Sequence, residues 1–262
     1  MLKACLNGAR HAGEHPALPA TPAAIAHAAA GAVAAGADAL HVHPKDDQGA
    51  DTLDPVVVAA VLNAVREATP GTPVGITTGA WALPDPRQRL AVIGGWTVLP
   101  DFASVNWHEP GAQSVAAALL DRGVGVEAGL WHAAAIASWR SWNQRDRCLR
   151  VLLEVVQDHP PVQAVAVAGQ LVAALGDVTG NTSVLLHGEG ASTWPVFKEA
   201  VRRGLDVRIG LEDVLVLPNG STAESNAELV AAARGLISSY AATPHTQATP
   251  GARDLGANTE RQ

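Results

Sequence analysis

Lysine is scarce in this 262-residue chain: Lys3, Lys45 and Lys198 are the only three. With 18 Lys and Arg against 25 Asp and Glu, the formal net charge is −7. No basic surface is dense enough to follow a phosphate backbone, so nucleic acid is excluded as a partner. Cysteine is scarcer still. Cys5 and Cys148 lie far apart and read as buried apolar positions, Cys5 in a strand and Cys148 on a helix, which excludes a disulfide framework or a C-x-x-C metal knuckle. Long apolar runs are lacking too. The alanine-rich stretch from 23 to 35 contains His27 and Gly31 and falls short of the roughly 20 residues that a membrane span requires. The opening MLKACLNGARH has no basic region leading into an apolar stretch, so the expectation is a cytoplasmic protein with no membrane partner.

What is present is apolar material, 48% of residues, enough to build a sizeable core and to exclude a natively unfolded chain. Short β-type runs alternate with alanine-rich helical runs. Strands are predicted at 2–6, 39–43, 74–77, 102–105, 125–130, 164–167, 184–187 and 207–210. Helices are predicted from Thr21-Pro22 to Gly36 and over 55–68, 86–94, 112–122, 194–203 and 223–240. A long helical region from 133 to 157 reads as two helices, and 171–175 as barely a turn and a half. Eight βα units in this length indicate an α/β fold, a (β/α)8 TIM barrel. A doubly wound open sheet is the alternative, but Asn7-Gly8-Ala9-Arg10 after the first strand is not its Gly-x-Gly-x-x-Gly turn. One catalytic domain is expected over 1–240, followed by a polar tail over 241–262.

Barrel enzymes place their sites at the C-terminal ends of the strands. His41 and His43 end strand two and point to one side, as alternate residues of a strand do. They form either a metal-binding pair or two hydrogen-bonded loop histidines. Strand eight ends in Val207-Arg208-Ile209-Gly210-Leu211-Glu212-Asp213, at the same mouth. Glu212 would complete a His2Glu ligand set for zinc or another divalent metal. Arg208 and Asp213 read as functional groups or as a rim ion pair. Gly188 and Gly190, ending strand seven beside His187, stand where barrels often bind phosphate, a place for part of a CoA moiety or a plain loop.

HVHPKD resembles the H-x-H-x-R-D motif, and VRIGLED the V-R-V-G-L-E-D motif, of the β-keto acid cleavage enzyme family, whose founding activity is 3-keto-5-aminohexanoate cleavage. NGAR followed by HPALPATPAAIA, the Thr-Thr-Gly turn at 77–79, Ser104-Val105-Asn106 and NGSTAESNAELV (219–230) are similar to further family segments in the same order. The resemblance implies a zinc barrel that exchanges acyl groups between a β-keto acid and acetyl-CoA, giving acetoacetate and a new acyl-CoA. It implies a homo-oligomer, dimer or tetramer. It makes Asp213 the base for the substrate's C2 proton and Arg208 its partner or an oxyanion donor. Thr77, Thr78, Gly79, Ser104 and Asn106 become substrate contacts, although Thr-Thr-Gly is also an ordinary turn, and Arg10 stands at a further substrate-binding position. Glu127, in strand five, is expected to support a metal-bound histidine from behind.

Three departures stand out. Arg10 replaces the family's glutamate, Lys45 replaces its arginine, and the segment carrying Trp131, Trp139 and Trp142 is unlike it. The first bears on substrate choice, the second on anchoring of anions. Two competing functions remain: a metal-dependent aldolase, isomerase or hydrolase that needs no CoA, and a catalytically silent metal- or ligand-binding relative.

Overall fold

Each strand alternates a residue facing the helices with one facing the barrel axis, and the two sets differ in chemistry. The computed structural model describes residues 1–178 and 182–242. Its strands are β1 (Leu2–Cys5), β2 (Ala39–Val42), β3 (Val74–Thr77), β4 (Phe102–Asn106), β5 (Gly125–Leu130), β6 (Arg150–Val155), β7 (Ser183–Gly188) and β8 (Val207–Ile209). All pair in parallel in the order β7-β6-β5-β4-β3-β2-β1-β8. A parallel bridge from Leu185 to Asp206 brings β7 and β8 together. The fold is a (β/α)8 TIM barrel. Its expected polar tail lies, from 243 on, outside the described residues.

The outward set, such as Leu40 and Val42 or Val151 and Leu153, joins the helices in one continuous apolar core. Helices α1 (Pro22–Ala34), α2 (Pro55–Ala68) and α3 (Pro86–Gly94) start alike. Thr21, Asp54 and Asp85 cap them, and each has a proline in its first turn, where an amide hydrogen would go unused. Helices α4 (Ala112–Asp121), α5 (Ala133–Ser141), α6 (Pro161–Leu175), α7 (Thr193–Arg202) and α8 (Asn226–Ala242) complete the ring.

The inward set is polar, unlike the branched aliphatic interior common in such barrels. At its floor Lys3 Nζ lies 2.6 Å and Arg150 Nε 3.1 Å from opposite oxygens of Glu127, which is fully buried. Both cations lie over the Phe102 ring. This corrects the expectation for Glu127. It neutralises two buried cations at the floor rather than backing a metal-bound histidine. Removing one member of such a cluster costs about 3–5 kcal/mol, because a partner charge stays buried.

Between 131 and 182 the structure departs from the sequence reading. Strand six is 150–155; residues 164–167 belong to α6. In that strand Arg150 and Glu154 face the polar axis while Val151, Leu153 and Val155 face the core. Conversely, the alternating run AVAV is helical because Ala164, Ala168, Leu171 and Leu175 form one buried stripe. The second helix expected before 157 reduces to a turn at Arg145–Arg147, and Cys148 follows that turn rather than sitting on a helix. Both cysteines are free and buried.

Candidate active site

At the C-terminal mouth a cavity of about 400 Å³ opens, with His41, His43 and Glu212 in its wall. His41 Nε2 lies 4.0 Å from Glu212 Oε2, and His43 Nε2 lies 3.8 Å from Glu212 Oε1. One ligand atom from each residue falls within 4.8 Å of the others. Two ligands about 2.1 Å from a shared tetrahedral ion are about 3.4 Å apart, so these three residues would hold one ion after a small closure. Their surroundings suit that chemistry. Burial, and then the charge of His43, hold His41 well below the ordinary histidine range, in the neutral form that ligates. His41 Nδ1 and Glu212 Oε2 are buried without a hydrogen-bond partner among the described residues.

Local structure aims these groups. The side-chain oxygen of Asn7 accepts from His43 N at 2.9 Å, and its amide donates to His43 O at 2.9 Å, pinning the end of β2. Gly8 turns with φ +58°, and a Cβ there would lie 2.4 Å from Glu212 Cγ. Asn226, opening α8, accepts from Leu211 N and donates to Leu6 O, tying the segment after β8 to the end of β1.

Arg208 joins the wall to the layer beneath it. Its guanidinium donates to Glu212 Oε1 at 2.9 Å and to Asp213 Oδ1 at 2.6 and 3.1 Å. Burial opposes its charge, but Asp213 and Glu212 hold it firmly protonated. Asp213 is fully buried beneath the cavity wall, with Oδ2 unpartnered among the described residues. His187 lies 3.8 Å from Asp213 through Nδ1 and 3.2 Å from Glu154 Oε2 through Nε2. Burial pushes the Glu154 carboxyl up, yet the contact with His187 brings it below the usual range. Glu154 lines the cavity and was missed in the sequence, because its strand was assigned to helix. Glu189, also in the wall, went unnoticed in a turn; burial lifts its carboxyl to about 8 despite Arg208.

The remaining sequence-derived positions divide. Thr77, Ser104 and Asn106 line the cavity. Thr78 instead donates to Ser104 O at 2.7 Å, and Gly79 lies against the Trp81 ring, so these two serve the wall's shape. Arg10 lines the cavity paired at 2.8 Å with Glu14, so the guanidinium is not a lone charge there. Lys45 is not among the residues that line the cavity. Its ammonium is spent on Asp51 and on the carbonyls of Gly8 and Arg10. Around Gly188 and Gly190, the amides of Glu189, Gly190, Ala191 and Ser192 are all bonded within the chain, which leaves no cradle of free amides for phosphate. Trp139 and Trp142 are core residues, while Trp131 reaches the cavity.

The family model for the beta-keto acid cleavage enzymes matches residues 1–255. This chain belongs to that family. Among curated members, 3-keto-5-aminohexanoate cleavage enzymes from Fusobacterium nucleatum and Acetoanaerobium sticklandii are 27% and 24% identical to it, each match covering 88% of both chains. Among solved structures, ObcA in a binary complex with oxaloacetate superposes with a TM-score of 0.69 at 19% identity, over 87% of this chain. The match spans only 65% of the ObcA chain. A type I 3-dehydroquinate dehydratase from Clostridium difficile superposes with a TM-score of 0.62 at 13% identity, over 91% of this chain and 92% of its own. At such identities the two structures speak for the barrel alone.

Proposed function

We propose that the protein is a zinc-dependent enzyme that cleaves a β-keto acid by acyl exchange with acetyl-CoA, giving acetoacetate and the CoA thioester of the remaining fragment. One observation carries this reading. The three-ligand set His41, His43 and Glu212 opens onto a cavity that also holds Arg208, in a chain of the beta-keto acid cleavage enzyme family. A divalent ion held there supplies Lewis acidity toward the keto group of an anionic substrate.

The chain's own residues supply the rest. Asp213 accepts the C2 proton at Oδ2, the oxygen that Arg208 leaves free. Because Asp213 lies under Arg208, the substrate's oxygens must draw the guanidinium toward themselves, which uncovers the carboxylate as the proton is taken. Arg208 then balances the negative charge that develops on oxygen. Thr77, Ser104 and Asn106 orient the carboxylate or the thioester oxygen, and Glu189, held protonated at neutral pH, adds a donor that an ionised carboxylate lacks.

The test is to incubate the metal-loaded protein with acetyl-CoA and a panel of β-keto acids, and to follow acetoacetate and new thioesters by mass spectrometry. Both products, formed only with acetyl-CoA, are expected. Cleavage without acetyl-CoA favours an aldolase or hydrolase, and no turnover of any panel member overturns the reading.

A further inference from the structure

Asp51 lies in the loop between β2 and α2, outside every motif that pointed to the site, and its side chain is 3% exposed. Three donors converge on it, two from the segment after β2 and one from the loop after β3. His43 Nδ1 lies 2.6 Å from Oδ2, the Trp81 indole donates to the same oxygen at 2.7 Å, and Lys45 Nζ donates to Oδ1 at 2.5 Å.

The consequence for His43 is geometric. A carboxylate on Nδ1 makes that nitrogen the N–H donor, so the lone pair of a neutral ring sits on Nε2, the atom facing Glu212. Carboxylates so placed fix the tautomer and orientation of metal-ligating histidines. Here the carboxylate is itself fixed from both sides. Lys45 also bonds the carbonyls of Gly8 and Arg10, so it ties the loop after β1 to Asp51. Trp81, 46% exposed, belongs to the loop after β3; its ring stacks toward His43, with centroids 6.0 Å apart, and forms part of the cavity wall.

We propose that Asp51 is the positioning residue of the metal centre, and that Lys45 and Trp81 hold it in place, so that ion binding and the shape of the cavity's outer wall are coupled through one carboxylate. This rests on the metal-site reading above.

The experiment is competitive titration of zinc against a chromophoric chelator in the full chain, for the native protein, Asp51→Asn, Asp51→Glu and Trp81→Phe, with urea unfolding of the metal-free forms alongside. Asp51→Asn is expected to weaken zinc binding about 10–100-fold, as losses of such outer carboxylates do. Asp51→Glu should recover part of that. Trp81→Phe keeps the ring, removes the N–H and should weaken binding by a few-fold; because this side chain is half exposed, the variant keeps the inference testable should Asp51→Asn fail to fold. Native tryptophan emission should also change on loading cobalt, and change less in Trp81→Phe. Zinc affinity within two-fold of native in a folded Asp51→Asn, or in Trp81→Phe where Asp51→Asn does not fold, overturns the inference while leaving the ligand set intact. Failure of the native protein to bind zinc overturns the metal-site reading instead.

Discussion

The carboxylate of Glu154 occupies the space that a side chain at Gly129 would need: a Cβ on Gly129 would lie 2.6 Å from Glu154 Oε1. The glycine on β5 and the glutamate on β6 are therefore one feature. Gly129→Ala is expected to push Glu154 from its place beside His187. Overpacking of this kind costs about 1–3 kcal/mol, so the urea midpoint should fall modestly while kcat/KM falls, because the Glu154 carboxylate leaves its place in the cavity wall beside His187. Unchanged kinetics in a destabilised variant would show that Glu154 serves packing alone.

The native protein should carry one divalent ion per chain by plasma mass spectrometry, and the His41→Ala, His43→Ala double variant none. Full occupancy in the double variant places the ion elsewhere.

Arg208 and Asp213 separate chemistry from stability. Asp213→Asn keeps the size of the side chain but removes a proton acceptor, so turnover should drop by about 10²–10⁴-fold with the metal content unchanged. Arg208→Met leaves Asp213 buried and unpaired, and should lower the unfolding free energy by about 3–5 kcal/mol. Near-native turnover in Asp213→Asn would assign the base to another residue.

Glu189 sets a pH dependence. Its folded value of about 8 lies above the ordinary 4.5, so between those values the folded state binds the proton that the unfolded state has released. Its contribution is complete below about 4.5 and is lost as the pH rises toward 8. In chelator-treated protein, Glu189→Gln should gain stability relative to the native form as urea melts are moved from pH 5 to pH 8. A gap that does not widen with pH means that Glu189 titrates normally.

The pairing of Arg10 with Glu14 changes what the sequence alone suggests about specificity. A lone guanidinium repels an ammonium tail by about 4 kcal/mol at 4 Å and an effective dielectric of 20, whereas the pair presents both signs to the cavity. The native enzyme should discriminate weakly, by less than about 10-fold, between an amino-tailed and a dicarboxylic β-keto acid, and Arg10→Glu should swing kcat/KM toward the amino substrate. An unchanged preference in the variant removes residue 10 from substrate choice.

By itself, the sequence determined the barrel and picked out His41, His43 and Glu212 as a cluster that could hold a metal. Proline-started helices and short apolar strands are local patterns, and His41, His43 and Glu212 sit within two short motifs whose spacing fixes them at strand ends. Tertiary structure decided what depends on the partner across the barrel. Strand six could not be read from 150–155, because Arg150 and Glu154 look misplaced until Glu127, Lys3 and His187 stand opposite them. Asp51, in a loop with no regular pattern of its own, becomes meaningful only when His43, Lys45 and Trp81 meet on it. The same holds for Arg10, whose charge is countered by a neighbour one loop turn away. A local pattern specifies where a side chain leaves the backbone. Which charge it meets there is set by chain closure, since burying a charge is stable only when the fold brings its counter-charge to the same place.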